Sequence, residues 1–526
     1  MRSIISGMWL ILAVVSGYAD TYARQPGVDV VHYDIELELS DASDSVLGST
    51  KIHVRMREDG ISGMRLDFAG MQVDSLLVQG ARRIFSLRDG RLSFDFGRKF
   101  ARNEIAVVTV RYHGKPERGL RIGNNKYGRR VFFAENWPDD AHYWFPSIDH
   151  PSDKATMQVT VTAPRKYDVI SNGSLVETKP VPGGRKSTRW AERRPVPTYC
   201  MVIGVAEFAI ARRPPVTGVP LALYYYPEDS RAAARKFNQT ASALAWFGAR
   251  IGPYPYEKLA QVEARTVFDG MENAGAIFYR ESLFQEAQEI PQAHEIAHQW
   301  FGNSVTANDW DHLWLSEGFA TYFEALFAEH VEGPAALRQA MAGHQSNLFL
   351  SQLARSRPVI DPSENDVMKK LNPLNYEKGA WILHMLRGVM GDARFFRGIR
   401  RYYGLYAGGN ASSEDFQKAM ETVSGISLDT FFRQWLHQPG WPEFALSWRW
   451  DGDAGEAEVR VQQQQTAGLF DMSVDIAFET EGGKEVRKLR IAGTEHVSRI
   501  PLHSKPLSIQ LDPNGWLLKS VQVQSQ

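Results

Sequence analysis

The chain has 526 residues, 43% of them hydrophobic and 23% charged, with 26 Pro and 43 Gly. This composition excludes disordered, collagen-like and coiled-coil classes, and the length suits a folded protein of roughly three to four domains. Lys and Arg total 60 against 61 Asp and Glu, so no basic field exists to hold a phosphate backbone or an anionic bilayer, and nucleic acid is not expected as a partner. The single cysteine, Cys200, excludes an internal disulfide and a thiolate zinc cage, which leaves any metal to His, Glu and Asp.

In chain order, Arg2 precedes the apolar run Met8 to Val15, with the small residues Gly17 and Ala19 after it. Charge, short apolar core and small residues in that order predict a signal peptide over 1–19 and export to a periplasm or the medium, with no stable membrane insertion after cleavage. From His32 to Leu39 apolar and polar residues alternate, and the pattern recurs at Ile52, Val54 and Met56 and at Met157, Val159 and Val161. It predicts an all-β domain over 26–212, with Asn172-Gly173 as a hairpin turn. After Pro214-Pro215 the spacing becomes helical. Ser230 to Ile251 reads as a helix stopped by Gly252-Pro253, and helical patterns continue through a second domain over 213–438. Past Pro439-Gly440-Trp441-Pro442, short alternating runs predict a β-sandwich over 441–526.

His294-Glu295-Ile296-Ala297-His298 is an H-E-x-x-H pattern on a helical stretch. Side chains four apart share a helix face, so both imidazoles can reach one Zn2+, and Glu295 can act as general base on a water held there. Glu317 follows in a second amphipathic helix, for which Ser316 is the expected N-cap. Two His and one Glu leave a fourth position open, as a catalytic zinc requires. Glu324, seven residues on and on the same face, can orient a ligating His from outside the coordination sphere.

These residues, HEIAHQWFGN with Glu317 in LWLSEGFATYFE, resemble the M1 family of zinc aminopeptidases, the gluzincin group that also contains leukotriene A4 hydrolase. Gly270-Met271-Glu272-Asn273 resembles the family's G-x-M-E-N exopeptidase segment, and Tyr376 in Tyr376-Glu377-Lys378-Gly379 stands where the family places its transition-state tyrosine. The resemblance implies a multi-domain α+β fold: an N-terminal β saddle, a thermolysin-like, mostly helical catalytic domain and a C-terminal β-sandwich. It also implies one zinc per chain on His294, His298 and Glu317, and peptide substrates with a free N-terminus. An aminopeptidase must recognise an α-amine that is largely protonated at neutral pH, and Glu272 can supply the opposing charge while Gly270 leaves room for the peptide backbone. Tyr376 can donate its phenol to the oxyanion, and Phe268 can wall the pocket for the first side chain.

Departures from the family pattern also stand out. Asp269 replaces the usual Gly and can add negative potential near the amine. The upstream acidic or Gln residue that helps bind the amine is expected near Glu135, although an ungapped reading from Asp149-His150-Pro151 places Trp137 there. Many relatives carry a large C-terminal helical domain after the sandwich, whereas this chain ends at Gln526, which predicts a more open site. The alternative activities are those of a thermolysin-like endopeptidase or an epoxide hydrolase using the same zinc site. The oligomeric state is not encoded in any pattern found.

Overall fold

The computed structural model describes residues 20–287 and 289–525; the expected signal peptide, 1–19, lies outside the described residues. The first sheet has eight strands in the spatial order Ser174–Val181, Arg185–Pro197, Lys154–Pro164, Val28–Glu38, Val46–Met56, Ile105–Gly114, Gln72–Val78 and Ala81–Arg82. Val28–Glu38 pairs antiparallel with Val46–Met56 and parallel with Lys154–Pro164. The alternation seen in the sequence is the burial pattern: Tyr33, Ile35 and Leu37 are buried, as are Ile52, Val54 and Met56 and Met157, Val159 and Val161. A four-stranded sheet (Asp168–Ser171, Ile203–Ala206, Arg130–Glu135, Gly119–Asn124) and a three-stranded one (Ile61–Asp67, Arg91–Phe100, Phe85–Arg88) complete the region.

Asn172-Gly173 does turn the chain, with Gly173 at φ +69°, but it does not make a hairpin. Asp168–Ser171 and Ser174–Val181 belong to different sheets. A Cβ at Gly173 would fall 1.9 Å from the carbonyl oxygen of Ala191, so glycine is required by close approach as well as by φ.

A five-stranded mixed sheet opens the next region, in the order Ala209–Val216, Val219–Tyr225, Leu259–Ala264, Ala276–Arg280, Gly270–Met271. The expected boundary at 212/213 therefore falls inside a strand. Pro214-Pro215 coincides with a register shift between Arg213 and Val216 on the sheet's edge, a place where missing N–H donors are tolerated. The helix expected over Ser230 to Ile251 is two helices, Ser230–Lys236 and Thr240–Arg250. At the break Gln292 donates to the carbonyl of Lys236, and the Thr240 hydroxyl donates to Gln292 Oε1 at 3.0 Å. The interruption thus seats the helix Gln292–Ala297, which begins at that glutamine.

The longest helix here, Trp314–Glu332, is followed by Pro334–Leu350, Gly379–Met390, Asp392–Tyr406, Ser413–Ser424 and Asp429–His437. Trp314–Glu332 and Gly379–Met390 touch backbone to backbone. A Cβ on Gly318 would lie 2.7 Å from Gly379 Cα and 3.1 Å from the Asn375 carbonyl oxygen.

The apolar core does not respect the boundary between the first two regions. Phe133 of the β region packs edge-on against Phe278 of the mixed sheet at 5.5 Å, and one continuous cluster runs from Val30 to Leu313. Lys154 adds a polar tie, its ammonium donating to the carbonyls of Asn303, Ser304 and Gly409 at 2.9, 2.8 and 3.1 Å. The last region packs a four-stranded sheet (Glu495–Pro501, Glu456–Gln463, Glu443–Asp451, Ser520–Ser525) on a three-stranded one (Gly483–Ile491, Met472–Thr480, Pro506–Leu511), with Phe444, Val459, Ile476 and Phe478 in its own core. Among the described residues no helix is long and apolar enough to cross a membrane.

Candidate metal centre and active site

His294 and His298 lie one turn apart, and their Nε2 atoms are 3.0 Å from each other and each 3.4 Å from Oε2 of Glu317. A tetrahedral zinc with bonds of about 2.0–2.1 Å has ligand atoms about 3.3–3.4 Å apart. These three groups are the set among the described residues that can hold a metal ion, and their spacing fits zinc.

The tautomers suit that role. The Phe301 carbonyl lies 3.1 Å from Nδ1 of His298 and can only accept, so Nδ1 carries the proton and Nε2 presents a lone pair. Ser316 was expected to cap the helix. The helix starts two residues earlier, at Trp314, and the Ser316 hydroxyl instead lies 3.1 Å from the same Nδ1. Glu324 Oε2 stands 3.6 Å from Nδ1 of His294, beyond a hydrogen bond but close enough to favour the proton on that nitrogen. Burial opposes the charge on Glu317, yet His298 and His294 hold its carboxyl down at about 2. Three protein ligands with one position open are the coordination of a catalytic zinc.

Trp137, Phe268, Leu371 and Tyr376 join these residues, Glu272, Glu295, Gly270 and Met271 around a pocket of about 50 Å³. Burial pushes the Glu295 carboxyl up to about 8, against the pull of His294 and His298. Gly270 serves this carboxylate directly. A Cβ there would lie 2.2 Å from Glu295 Oε1, so the space that glycine leaves is filled by the glutamate and not reserved for a peptide.

Tyr376 sits in a π-turn, Leu374–Lys378, set against Trp314–Glu332 by the Gly318–Gly379 contact. Its ring is nearly parallel to that of His294, at 6.1 Å. Burial, reinforced by Glu317, Glu272 and Glu295, raises its phenol well above the ordinary range and keeps it a hydrogen-bond donor. Glu272 and Asn273 are both buried behind the edge strand Gly270–Met271.

Two expected contributors stand apart. Glu135 is buried beside the pocket, but its carboxylate is taken by Arg121 at 2.8 Å, the Thr266 hydroxyl at 2.6 Å and the Val267 amide at 2.7 Å. Asp269 pairs with Arg280 at 2.7 Å, which balances the charge it was expected to add. Trp137 lines the pocket where the sequence offset from Asp149-His150-Pro151 places it, with its ring edge-on to Phe268 and Trp310 at 6.2 and 5.6 Å. Leu371 carries no signal in the sequence; it reaches the pocket from the segment that precedes the π-turn.

Comparison with known proteins gives a consistent set of relatives. Residues 235–435 match the peptidase family M1 domain and residues 30–200 the peptidase M1 N-terminal domain. Human glutamyl aminopeptidase is 30% identical over 332 residues, 60% of this chain and 35% of that protein. Probable aminopeptidase 2 of Sulfurisphaera tokodaii is 28% identical over 447 residues, 80% of this chain and 55% of that protein. The chain thus spans between about a third and just over half of these curated relatives. The crystal structure of an M1 zinc metallopeptidase from Deinococcus radiodurans is similar at a TM-score of 0.71 and 27% identity, covering 80% of this chain and 95% of that one.

Proposed function

We propose, from the premise that the chain belongs to peptidase family M1, that it is an aminopeptidase holding one zinc per chain and releasing single residues from the free amino ends of peptides. The observation that carries this reading is the placement of Glu272 in the same small pocket as the His294, His298 and Glu317 triad. A carboxylate that is neither ligand nor base is available there for the substrate's ammonium, and that pairing confines cleavage to the first peptide bond.

The remaining roles follow from position. Gly270–Met271 is an edge strand to which an extended peptide backbone can add. Zinc, when bound, supplies a Lewis acid that polarises the scissile carbonyl and brings the pKa of a water to roughly 7. Glu295 takes the proton released by the attacking water and returns it to the leaving amine. Tyr376 donates its hydroxyl to the oxygen on which negative charge develops. The walls supplied by Trp137, Phe268 and Leu371 suit a neutral, apolar first side chain. Among the described residues, the pocket at the metal centre presents Glu272, Glu295 and Glu317 and no Lys or Arg, whereas Lys115, Arg118, Arg121 and Arg265 line the adjoining cavity that shares Trp137 and Phe268. The leader-like residues 1–19 support export to a periplasm or the medium.

The decisive assay compares a peptide with its N-acetylated form. The wild type should strongly prefer the free amine, and Glu272→Ala should lose about 2–5 kcal/mol of transition-state binding for it while retaining zinc. Blocking the amine and removing Glu272 should not add, because both delete one interaction. Equal cleavage of free and acetylated peptides by the wild type would instead identify a thermolysin-like endopeptidase.

A further inference from the structure

Glu272 is joined to the metal ligands through its own carbonyl. That oxygen accepts from Gln299 Nε2 at 2.7 Å and from Asn303 Nδ2 at 2.6 Å, so both its lone pairs are taken by residues that follow His298 in the chain. Gln299 also grips the other side of the turn, its Oε1 accepting the Gly275 amide at 2.8 Å. The backbone N–H of Asn303 in turn donates to the His298 carbonyl at 3.1 Å. All three side chains are buried.

The Glu272 carbonyl assigns the orientation of Asn303, and the β region supplies the matching donor on the other side. The Glu272 carbonyl can only accept, which fixes Nδ2 on that side and turns Oδ1 to the thiol of Cys200, a donor at 3.1 Å. Cys200 is itself held at its carbonyl by Asn172 at 2.7 Å, and the same amide reaches the carbonyl of Ala274, two residues past Glu272, at 2.8 Å.

We propose that Gln299 and Asn303 are positioning residues that fix the Glu272 carboxylate one substrate residue from the metal ligands, and that the Cys200 thiol steadies the Asn303 amide in the orientation the Glu272 carbonyl requires. This rests on the aminopeptidase reading of Glu272. Specificity for a free amine then depends on a measured gap between anchor and metal as well as on charge. The gap is held by hydrogen bonds to backbone, from residues that touch neither substrate nor ion. A displacement of the anchor of about 1 Å is enough to cost about 100-fold in productive orientation.

The test measures kcat/KM for a leucyl peptide and its N-acetylated form, together with zinc content and melting temperature. The same preference is read without turnover as the affinity of the two peptides, by calorimetry, in a Glu295→Gln background. Gln299→Met, near-isosteric but without the donor, should keep zinc and reduce the free-over-acetylated preference by at least about tenfold in both readouts. An undiminished preference in folded, zinc-loaded Gln299→Met overturns the proposal. Should that variant fail to fold, two cysteine substitutions decide. Cys200→Ala removes the donor and should reduce the preference about two- to tenfold, while Cys200→Ser keeps a donor and should restore it. Equal preferences in the two overturn the proposal. A wild type indifferent to acetylation would refute the aminopeptidase reading itself, an outcome distinct from unchanged discrimination in the variants.

Discussion

Gly270→Ala separates two roles for one glycine. If the residue is small to let a peptide backbone approach, alanine should raise KM. The structure assigns the space to Glu295: the new Cβ would lie 2.2 Å from Oε1, 2.5 Å from Cδ and 2.7 Å from Cγ of that side chain. Non-bonded carbon atoms rest about 3.5–4.0 Å apart, so the carboxylate must retreat by about 1 Å. A general base misplaced by that distance costs about 100-fold, or about 2.7 kcal/mol of transition-state stabilisation. The three atoms nearest the new Cβ all belong to Glu295 and none to a metal ligand, so zinc content should stay near one per chain. Steady-state kinetics on a leucyl reporter should show kcat falling about 100-fold with KM nearly unchanged. In a Glu295→Gln background the same alanine should add almost nothing, because the group it displaces is already inactive. A variant whose kcat stays within about threefold of wild type, or whose loss lies in KM, would refute this assignment.

Glu295→Gln should keep zinc and lose turnover, whereas Glu317→Ala should lose the metal; elemental analysis of the two purified proteins distinguishes base from ligand. Tyr376→Phe should lower kcat by about 2.7–4 kcal/mol in barrier terms with little change in substrate affinity, read by inhibitor binding and turnover together. Lys378 is wholly buried, donates to the Gln438 carbonyl at 3.0 Å, and burial pushes its pKa down to about 7 from an ordinary 10.5. Between these values the unfolded chain holds a proton that the native state has released, so this lysine makes stability rise with pH over that window and contributes its full penalty below about pH 7. Lys378→Met should flatten the slope of unfolding free energy against pH between about 7 and 10; an unchanged slope would show that the ammonium is better solvated than its surroundings imply.

The metal ligands were legible because helical spacing alone puts His294 and His298 on one face, and because an open zinc site takes a third protein ligand, which Glu317 on the following amphipathic helix can supply. Strand alternation was legible for the same kind of reason: period two reports which face is buried. It does not report the partner strand, so Asn172-Gly173 read as a hairpin although its flanking strands enter different sheets. Pro214-Pro215 read as the mark of a domain boundary because composition cannot distinguish an exposed joint from an irregular edge strand. Glu135 was a plausible amine ligand by residue type, but Arg121, some fourteen positions earlier on the neighbouring strand, claims it across the sheet. Polar side chains choose their partners in three dimensions. Cys200 illustrates the limit most plainly: its burial was readable from the apolar run around it, whereas its contact with Asn303 arises only when the β region docks.

Lys154 binds three carbonyls of the catalytic region, one of them that of Asn303, and loss of water around its ammonium pushes its pKa down to about 7. With the shared core, this tie makes the β region a thermodynamic beneficiary of an ion to which it contributes no ligand. A ligand present at about 1,000 times its dissociation constant stabilises the state that binds it by about 4 kcal/mol. If the two regions open together, that increment extends to the strand Lys154–Pro164 as fully as to the helix Gln292–Ala297. Slowed amide hydrogen exchange along that strand then becomes a gauge of metal occupancy, and stripping the ion with a chelator should quicken exchange in a sheet that the ion never touches.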